Sequence, residues 1–309
     1  MKHYIEPRLR RDFGGVITAY FDFLKGDHKN IFTVFLTYNF VLIILLFLAN
    51  YLSDSGMSSI MALASGTYTD PTLYTESSEY AWILSLVGSV LMMVLNAALA
   101  GAYLRLYERD RKGSPEAREV FSAARPKLLG MILILVVGVI GMIPTMIVAV
   151  IMAIVPLIGI FVLTPGLIVV YFTWIGMSMF AYAYDPDTGA MQALGKGWEM
   201  LFSKFWKALG VSFIVSILLY LLSFLFQLVP IIMIGVFTYN SALDNIEIQE
   251  NIFIKAVEFF FYAINSIATS LVFFLIMLML GYLYFNLHES KYNVYLQSRI
   301  AKLGQKDEV

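Results

Sequence analysis

The sequence contains no cysteine and only three histidines, His3, His28 and His288, among 309 residues. Without thiols there is no disulfide, no thiolate zinc site, no iron–sulfur cluster and no cysteine nucleophile. A zincin needs two histidines one helical turn apart, and these three stand far from one another. A Ser–His–Asp site needs an imidazole beside its nucleophile, and none of the three lies within an uncharged apolar block. Charge is also scarce: 14% of residues are charged, where a soluble protein carries about 25%. The balance is close to neutral, 21 basic against 22 acidic residues, which speaks against a nucleic-acid partner. Gly195-Lys196-Gly197 is no phosphate loop, because it falls inside an amphipathic stretch. Asp185-Pro186-Asp187-Thr188-Gly189 begins like a calcium loop but lacks the closing Glu, and reads as a turn and helix cap. No catalytic, metal-binding or cofactor-binding residue is expected, and no enzymatic activity.

What the chain has in excess is apolar surface: 60% of residues are hydrophobic, against about 45–50% in soluble domains. Residues 1–30 carry six Lys/Arg and no apolar core, so a cleavable signal peptide is not expected there. Asn30 to Ser53 and Ala81 to Leu104 are each uncharged for 24 residues, and about 20 helical residues cross a hydrocarbon core. Leu128 to Tyr184 is uncharged for 57 residues, ~85 Å as one helix. It must fold back, and Val155-Pro156 is the natural turn. Ala208 to about Phe237 and Ile252 to about Leu287 bring the total to six spans. The spacing thus predicts an all-α membrane protein with six transmembrane helices.

The loops orient it. Segments 1–29, 105–127, 185–207 and 288–309 hold 20 of the 21 basic residues, Lys255 being the exception. The alternate connections hold none, but carry Asp54, Asp70, Glu76, Glu79, Asp244, Glu247 and Glu250. The positive-inside rule places both termini in the cytoplasm.

Each outward-going span is preceded by a stretch with helical apolar spacing. These are Phe13, Val16, Ile17, Tyr20, Phe21 and Leu24; then Ala117, Val120, Phe121 and Ala124; then Leu194, Trp198, Leu201 and Phe205. Each ends in basic residues, and such helices suit the lipid interface. The expected architecture is three modules, about 12–107, 114–184 and 186–288, each an amphipathic cytoplasmic interfacial helix followed by a transmembrane hairpin. Residues 289–309 form a cytoplasmic tail. Lys127, Lys204 and Lys207 are the candidate contacts to lipid phosphates.

The third module carries a resemblance. Thr164-Pro165-Gly166 opens a span that runs to Ala181-Tyr182-Ala183-Tyr184. An acidic turn with Gly189 follows, then Ala193-Leu194, Gly197-Trp198-Glu199 and Lys204-Phe205-Trp206-Lys207. Over about 164–210 this resembles a superfamily of bacterial six-helix membrane proteins without an agreed activity. That group includes the membrane domain attached to some glycerophosphodiester phosphodiesterases. Gly197 stands where the family pattern has a small hydroxyl residue, and the soluble phosphodiesterase domain with its metal ligands is missing. The resemblance implies a multi-pass protein of the bacterial cytoplasmic (inner) membrane.

Polar residues inside the spans form stripes. Ser212, Ser216, Tyr220, Ser223 and Gln227 share one helical face, as do Glu258, Tyr262, Asn265 and Thr269; Ser85, Ser89 and Asn96 lie on a third helix. Facing hydrocarbon would cost several kcal/mol each, so they should face protein or water. Two readings stand: interhelical glue, or a polar seam centred on Asn96, Gln227, Glu258 and Asn265 that lines a solute path. Glu258 either pairs with Lys255 at the surface or titrates within the seam. Pro144, Pro165 and Pro230 interrupt the spans as packing kinks or as broken helices of a transporter. The leading expectation is a scaffold or accessory subunit; the rival is a small transporter or channel with its seam between helices two, five and six. The expected partners are the phospholipid bilayer and other membrane or cytoplasmic proteins.

Topology is directly testable. Reporter fusions at Gly113, Gly189 and the C-terminus should read as cytoplasmic, and fusions at Ser65 and Ser241 as external. An external signal at Gly189 would end the six-span reading.

Overall fold

A computed structural model describes residues 4–53, 77–110, 114–155, 157–244 and 252–294, with Gln297 and Ile300. The helices are α1 (Phe13–Ser53), α2 (Ser77–Asp110), α3 (Ala117–Ala124), α4 (Leu128–Ala153), α5 (Thr164–Tyr184), α6 (Ala190–Ser203), α7 (Phe205–Asp244) and α8 (Ile252–Tyr292). Among the described residues there is no strand. Six segments are long and apolar enough to cross a membrane: Phe13–Tyr51, Tyr80–Asp110, Ala117–Ala153, Gly159–Tyr184, Phe205–Met233 and Phe259–Tyr292. The chain is an all-α, multi-pass membrane protein. Of the acidic residues in the Lys/Arg-free connections, Asp54, Asp70, Glu76, Glu247 and Glu250 lie outside the described residues.

The long uncharged block folds back where expected. After α4 the chain turns through residues 154–158, with Leu157 at φ 60°, and a single π-helical stretch, Gly159–Leu163, leads into α5. Pro156 itself is outside the described residues. Three bonds set the antiparallel register of this hairpin. Thr164 Oγ1 donates to Ala149 O at 3.2 Å, the Tyr171 hydroxyl donates to Gly138 O, and the Lys127 ammonium donates to Asp185 O at 2.8 Å. Pro144 and Pro230 lie inside α4 and α7, whereas Pro165 occupies the first turn of α5, directly after the π-helical stretch. Beside Pro144, the Thr145 hydroxyl donates to Gly141 O at 2.8 Å.

The three amphipathic stretches do not fold alike. The first is no separate helix: α1 runs unbroken for 41 residues, ~62 Å. Gly26 is its only weak helix former near the expected junction, and Asp27 is buried rather than solvated. The second is α3, which passes through a 3-10 turn over Arg125–Lys127, with Pro126 inside it, into α4. The third, α6, is cut from α7 at one residue, Lys204, whose backbone leaves the helix at φ −146°, ψ 68°. Part of the apolar face of each also meets protein. Val16 and Tyr20, Val120 and Ala124, and Leu194 and Leu201 are buried in the protein's own core, whereas Phe13 and Trp198 of the same stripes are exposed.

Two compact units divide the chain. The first comprises Met1–Tyr38, Val94–Ile217 and Phe274–Val309. Its interior is set by small residues on α2: Ala97, Ala98, Ala100 and Ala102 are all but inaccessible. A Cβ on Gly101 would stand 2.2 Å from that of Ala183, so α2 and α5 touch backbone to backbone. Around this crossing lies an aromatic cluster, with Phe23 5.0 Å from both Tyr107 and Tyr282 and Phe180 5.4 Å from Phe285, ring centroid to centroid. The second unit comprises Asn39–Met93 and Leu218–Phe273. There Ser85 donates to Asn50 Oδ1 at 2.7 Å, and the Phe47 and Phe259 rings meet edge-on at 4.7 Å. Much of α7 in this unit is exposed and apolar, including Leu221, Leu225, Phe226, Val229 and Ile232, as lipid contact requires.

The Gly101 contact predicts a paired outcome. Gly101→Val forces the helices apart and should lower the melting temperature in detergent, at a cost of ~1–3 kcal/mol. Gly195→Ala, with nothing within 4 Å of the added carbon, should be neutral or raise it by up to ~1 kcal/mol through helix propensity. Fluorescence-detected size exclusion after heating reads both.

Candidate functional site

The predicted seam residues are placed as follows. Asn96 is fully buried on α2 within the first unit. Gln227 and Asn265 are half-buried on α7 and α8 in the second. Gln227 Nε2 donates to Ser223 Oγ at 3.2 Å, one turn earlier on its own helix. Asn265 Oδ1 accepts a weak bond from Thr269 Oγ1 at 3.4 Å, again along its own helix. The side chains of Glu258 and Lys255 lie outside the described residues. Within the predicted stripes Tyr220 and Thr269 face outward, while Ser212 and Ser223 are buried. The bonds that Gln227 and Asn265 make are local i,i+4 contacts along their own helices.

The expected phosphate contacts also divide. Lys127 is buried, and its ammonium donates to Asp185 O at 2.8 Å and Pro186 O at 3.0 Å while lying 4.4 Å from the Tyr182 ring centre. It therefore caps the carbonyl end of α5, where a cation favourably meets the helix dipole. Lys207 donates to Asn286 Oδ1 at 2.6 Å and to Arg11 O. Both ammonium groups are directed at protein acceptors, which the sequence reading did not anticipate. Lys204, half-buried at the α6–α7 break, is the one of the three for which the structure records no protein acceptor.

Sequence reasoning missed the most connected polar group in the first unit, the segment before α1. Residues 4–12 have no regular secondary structure, bend at Pro7 and Arg8, and run as a strap across helix ends. Arg8 forms an ion pair with Glu108 Oε1 at 2.5 Å, the Tyr184 hydroxyl donates to Glu108 Oε2 at 2.6 Å, and Arg8 donates to the same hydroxyl. The Arg8 guanidinium also lies 5.4 Å from the Tyr184 and Phe285 ring centres. Asn286 Nδ2 donates to Leu9 O at 2.9 Å, and the Ile5 N–H to the Tyr107 hydroxyl at 3.1 Å. One strap is thereby tied to α2, α5, α7 and α8. Both carboxylate oxygens of Glu108 are used in geometry that supports a partly buried ion pair. A second knot lies nearby in sequence: Tyr103 and Ser114 both donate to Asp27, and Asn30 Nδ2 donates to the Tyr103 hydroxyl at 3.0 Å and to Pro115 O at 2.8 Å. The signal available beforehand was faint, namely charged residues flanking spans, which ordinarily mark solvated loops.

The acidic segment after α5 is a turn, as expected, but it does not cap α6, whose N-cap is Gly189 without a side-chain bond. Lys196 Nζ donates to Asp185 Oδ2 at 2.8 Å, Thr188 donates to the same oxygen, and the Asp187 N–H donates to Oδ1 at 3.1 Å. Burial pushes the Asp185 carboxyl up, but these bonds outweigh it and hold it down to about 2. Glu199 is likewise held below its ordinary value by hydrogen bonds from Lys291 and Tyr292. Among the described residues, no group of three or more His, Asp or Glu is placed to hold a metal ion. The chain matches no family model, no curated protein and no solved structure.

A carboxyl depressed in the folded state stabilises above its unfolded value, ~3.9, and loses that contribution as pH falls through about 2. Asp185→Asn should therefore cost stability at pH 7, by less than ~1 kcal/mol since the pair is one-third exposed. The difference from wild type should close between pH 4 and 2. Paired thermal melts across that range measure it.

Proposed function

We propose that this protein is a non-enzymatic scaffold or accessory subunit of the bacterial cytoplasmic membrane, with both termini in the cytoplasm, that holds a partner protein at its basic-loop face. The observation that carries this reading is the strap. A segment tied to four helices by Arg8, Tyr107, Asn286 and Lys207 joins the helix ends into a fixed platform. Such a platform suits holding a partner rather than moving a solute, because transport requires helices that shift against each other. The local bonding of Gln227 and Asn265 along their own helices supports the same reading over a solute path. Membership in the six-helix superfamily belongs to this proposal and rests on residues 164–210. Gly197, which stands where that pattern has a small hydroxyl residue, lies hard against Ser178 of α5: a Cβ there would stand 2.1 Å from the Ser178 hydroxyl.

The proposal predicts that purified protein in liposomes passes no more protons, potassium or phosphate under an imposed gradient than empty liposomes do. It also predicts a stoichiometric partner, held by crosslinking from the basic-loop side and lost with Arg8→Ala while the six spans remain inserted. Gradient-driven flux above the empty-liposome rate overturns the scaffold reading in favour of transport.

A further inference from the structure

We propose that α6, alone among the three amphipathic stretches, is a membrane-interface anchor, and that an aromatic ridge on it binds the headgroup layer of the phospholipid leaflet at the basic-loop end. This inference rests on the membrane-spanning class and not on the scaffold reading.

The exposed side of α6 is the first line of evidence. A surface helix in water turns its charges outward. On α6 both charges are paired to protein: Lys196, one-third exposed, with Asp185 at 2.8 Å and Glu199, partly exposed, with Lys291 at 2.5 Å. The exposed large apolar side chains are Met191 at 59%, Trp198 at 51% and Phe202 at 47%, at spacings of seven and four residues and so on one face, with Gln192 the exposed polar residue beside them. The buried side, Ala193, Leu194, Gly197, Met200 and Leu201, is covered by protein. A helix apolar on both sides, with its charges tied down between them, needs a non-aqueous neighbour.

Chain continuity identifies that neighbour. A single non-helical residue, Lys204, separates α6 from a membrane span that begins at Phe205. The exposed rings cross this boundary as a ladder. Trp198 lies 4.3 Å from Phe202, Phe202 5.4 Å from Phe205, and Phe205 5.2 Å from Trp206, which is 80% exposed. The ladder thus belongs to the same surface as the lipid-facing start of α7.

Depth agrees. Gly159–Tyr184 holds 26 residues, ~39 Å of helix against a hydrocarbon core of about 30 Å. Ser178, against which Gly197 packs, stands ~28 Å from Gly159 along that axis, at the hydrocarbon boundary. Tryptophan favours this depth because its ring is apolar and its N–H polar. The scaffold beneath the ridge is rigid: Trp174 donates its indole N–H to Leu194 O at 3.0 Å and meets the Trp198 ring edge-on at 5.4 Å.

The other two stretches lack this surface. Tyr20 and Phe23 of α1 are fully buried, and Phe121 of α3 is stacked on Tyr38 at 4.5 Å.

The test is depth-dependent quenching in liposomes of phosphatidylcholine brominated at acyl positions near the headgroup or near the chain end. Full-length chains keeping only Trp198 or only Trp206, and a Phe121→Trp chain with all four native tryptophans replaced by Phe, supply the probes. Trp198 and Trp206 should be quenched at least twofold more by shallow than by deep bromines, and the single indole of the Phe121→Trp chain weakly by either. If removing Trp174 prevents folding, the difference between wild type and a Trp198→Phe, Trp206→Phe chain gives the same reading. No quenching of Trp198, which would mean water or protein covers the ridge, overturns the proposal. So does stronger quenching by deep bromines, or quenching of the Phe121→Trp chain equal to that of Trp198.

Discussion

In hydrocarbon, apolar side chains gain nothing by leaving lipid for protein, so helices associate only as far as their backbones can approach. The fold rests on that approach at the crossing of α2 and α5, where Gly101 meets Ala183 without room for another carbon. The run Ala97-Ala98-Leu99-Ala100-Gly101-Ala102 makes α2 the thin central rod that the aromatic residues of α1, α5 and α8 surround. Once those backbones are close, rings such as Phe23, Tyr103, Phe180 and Tyr282 pack at native density around them. Larger residues on α2 would have held its neighbours apart and left that cluster without a floor.

Close packing at the helix ends also sets the electrostatics there. Arg8, Glu108, Lys127 and Lys207 are drawn into places where water is thin, and each meets carbonyls, a carboxylate or an aromatic face. Leaving any one of them without its partner would strand a half-buried charge, typically a loss of several kcal/mol. Basic residues at the ends of the spans therefore join its helices.

The spans were legible in the sequence because length and absence of charge decide them: 24 uncharged residues have few alternatives to crossing a bilayer. The fold-back of 128–184 was legible for the same reason, and the chain turns at Ile154, Val155 and Leu157, around the Val155-Pro156 step that proline chemistry suggested. Less legible was which way each amphipathic stretch faces. Helical spacing identifies a face but not its neighbour, so Val16, Val120 and Leu201 read as lipid-facing although protein covers them. The strap was invisible, since residues 4–12 have no periodicity and Arg8 resembles any loop arginine. Tyr184 and Asn286 had no reason to be linked to it, because only the folded chain brings them together.

That separation has a consequence for biogenesis. Asn286 and Leu9, joined by one hydrogen bond, are 277 residues apart in the chain. At about 5–20 residues per second, the ribosome needs roughly 15–55 s between making the first and the second. Throughout that interval the leading segment has only part of its seat, since the end of α8 that carries Asn286 does not yet exist. The strap can close only when α8 has been delivered into the bilayer, so its docked state marks the insertion of all six spans. A chain halted before α8 would keep the strap loose and open to proteolysis.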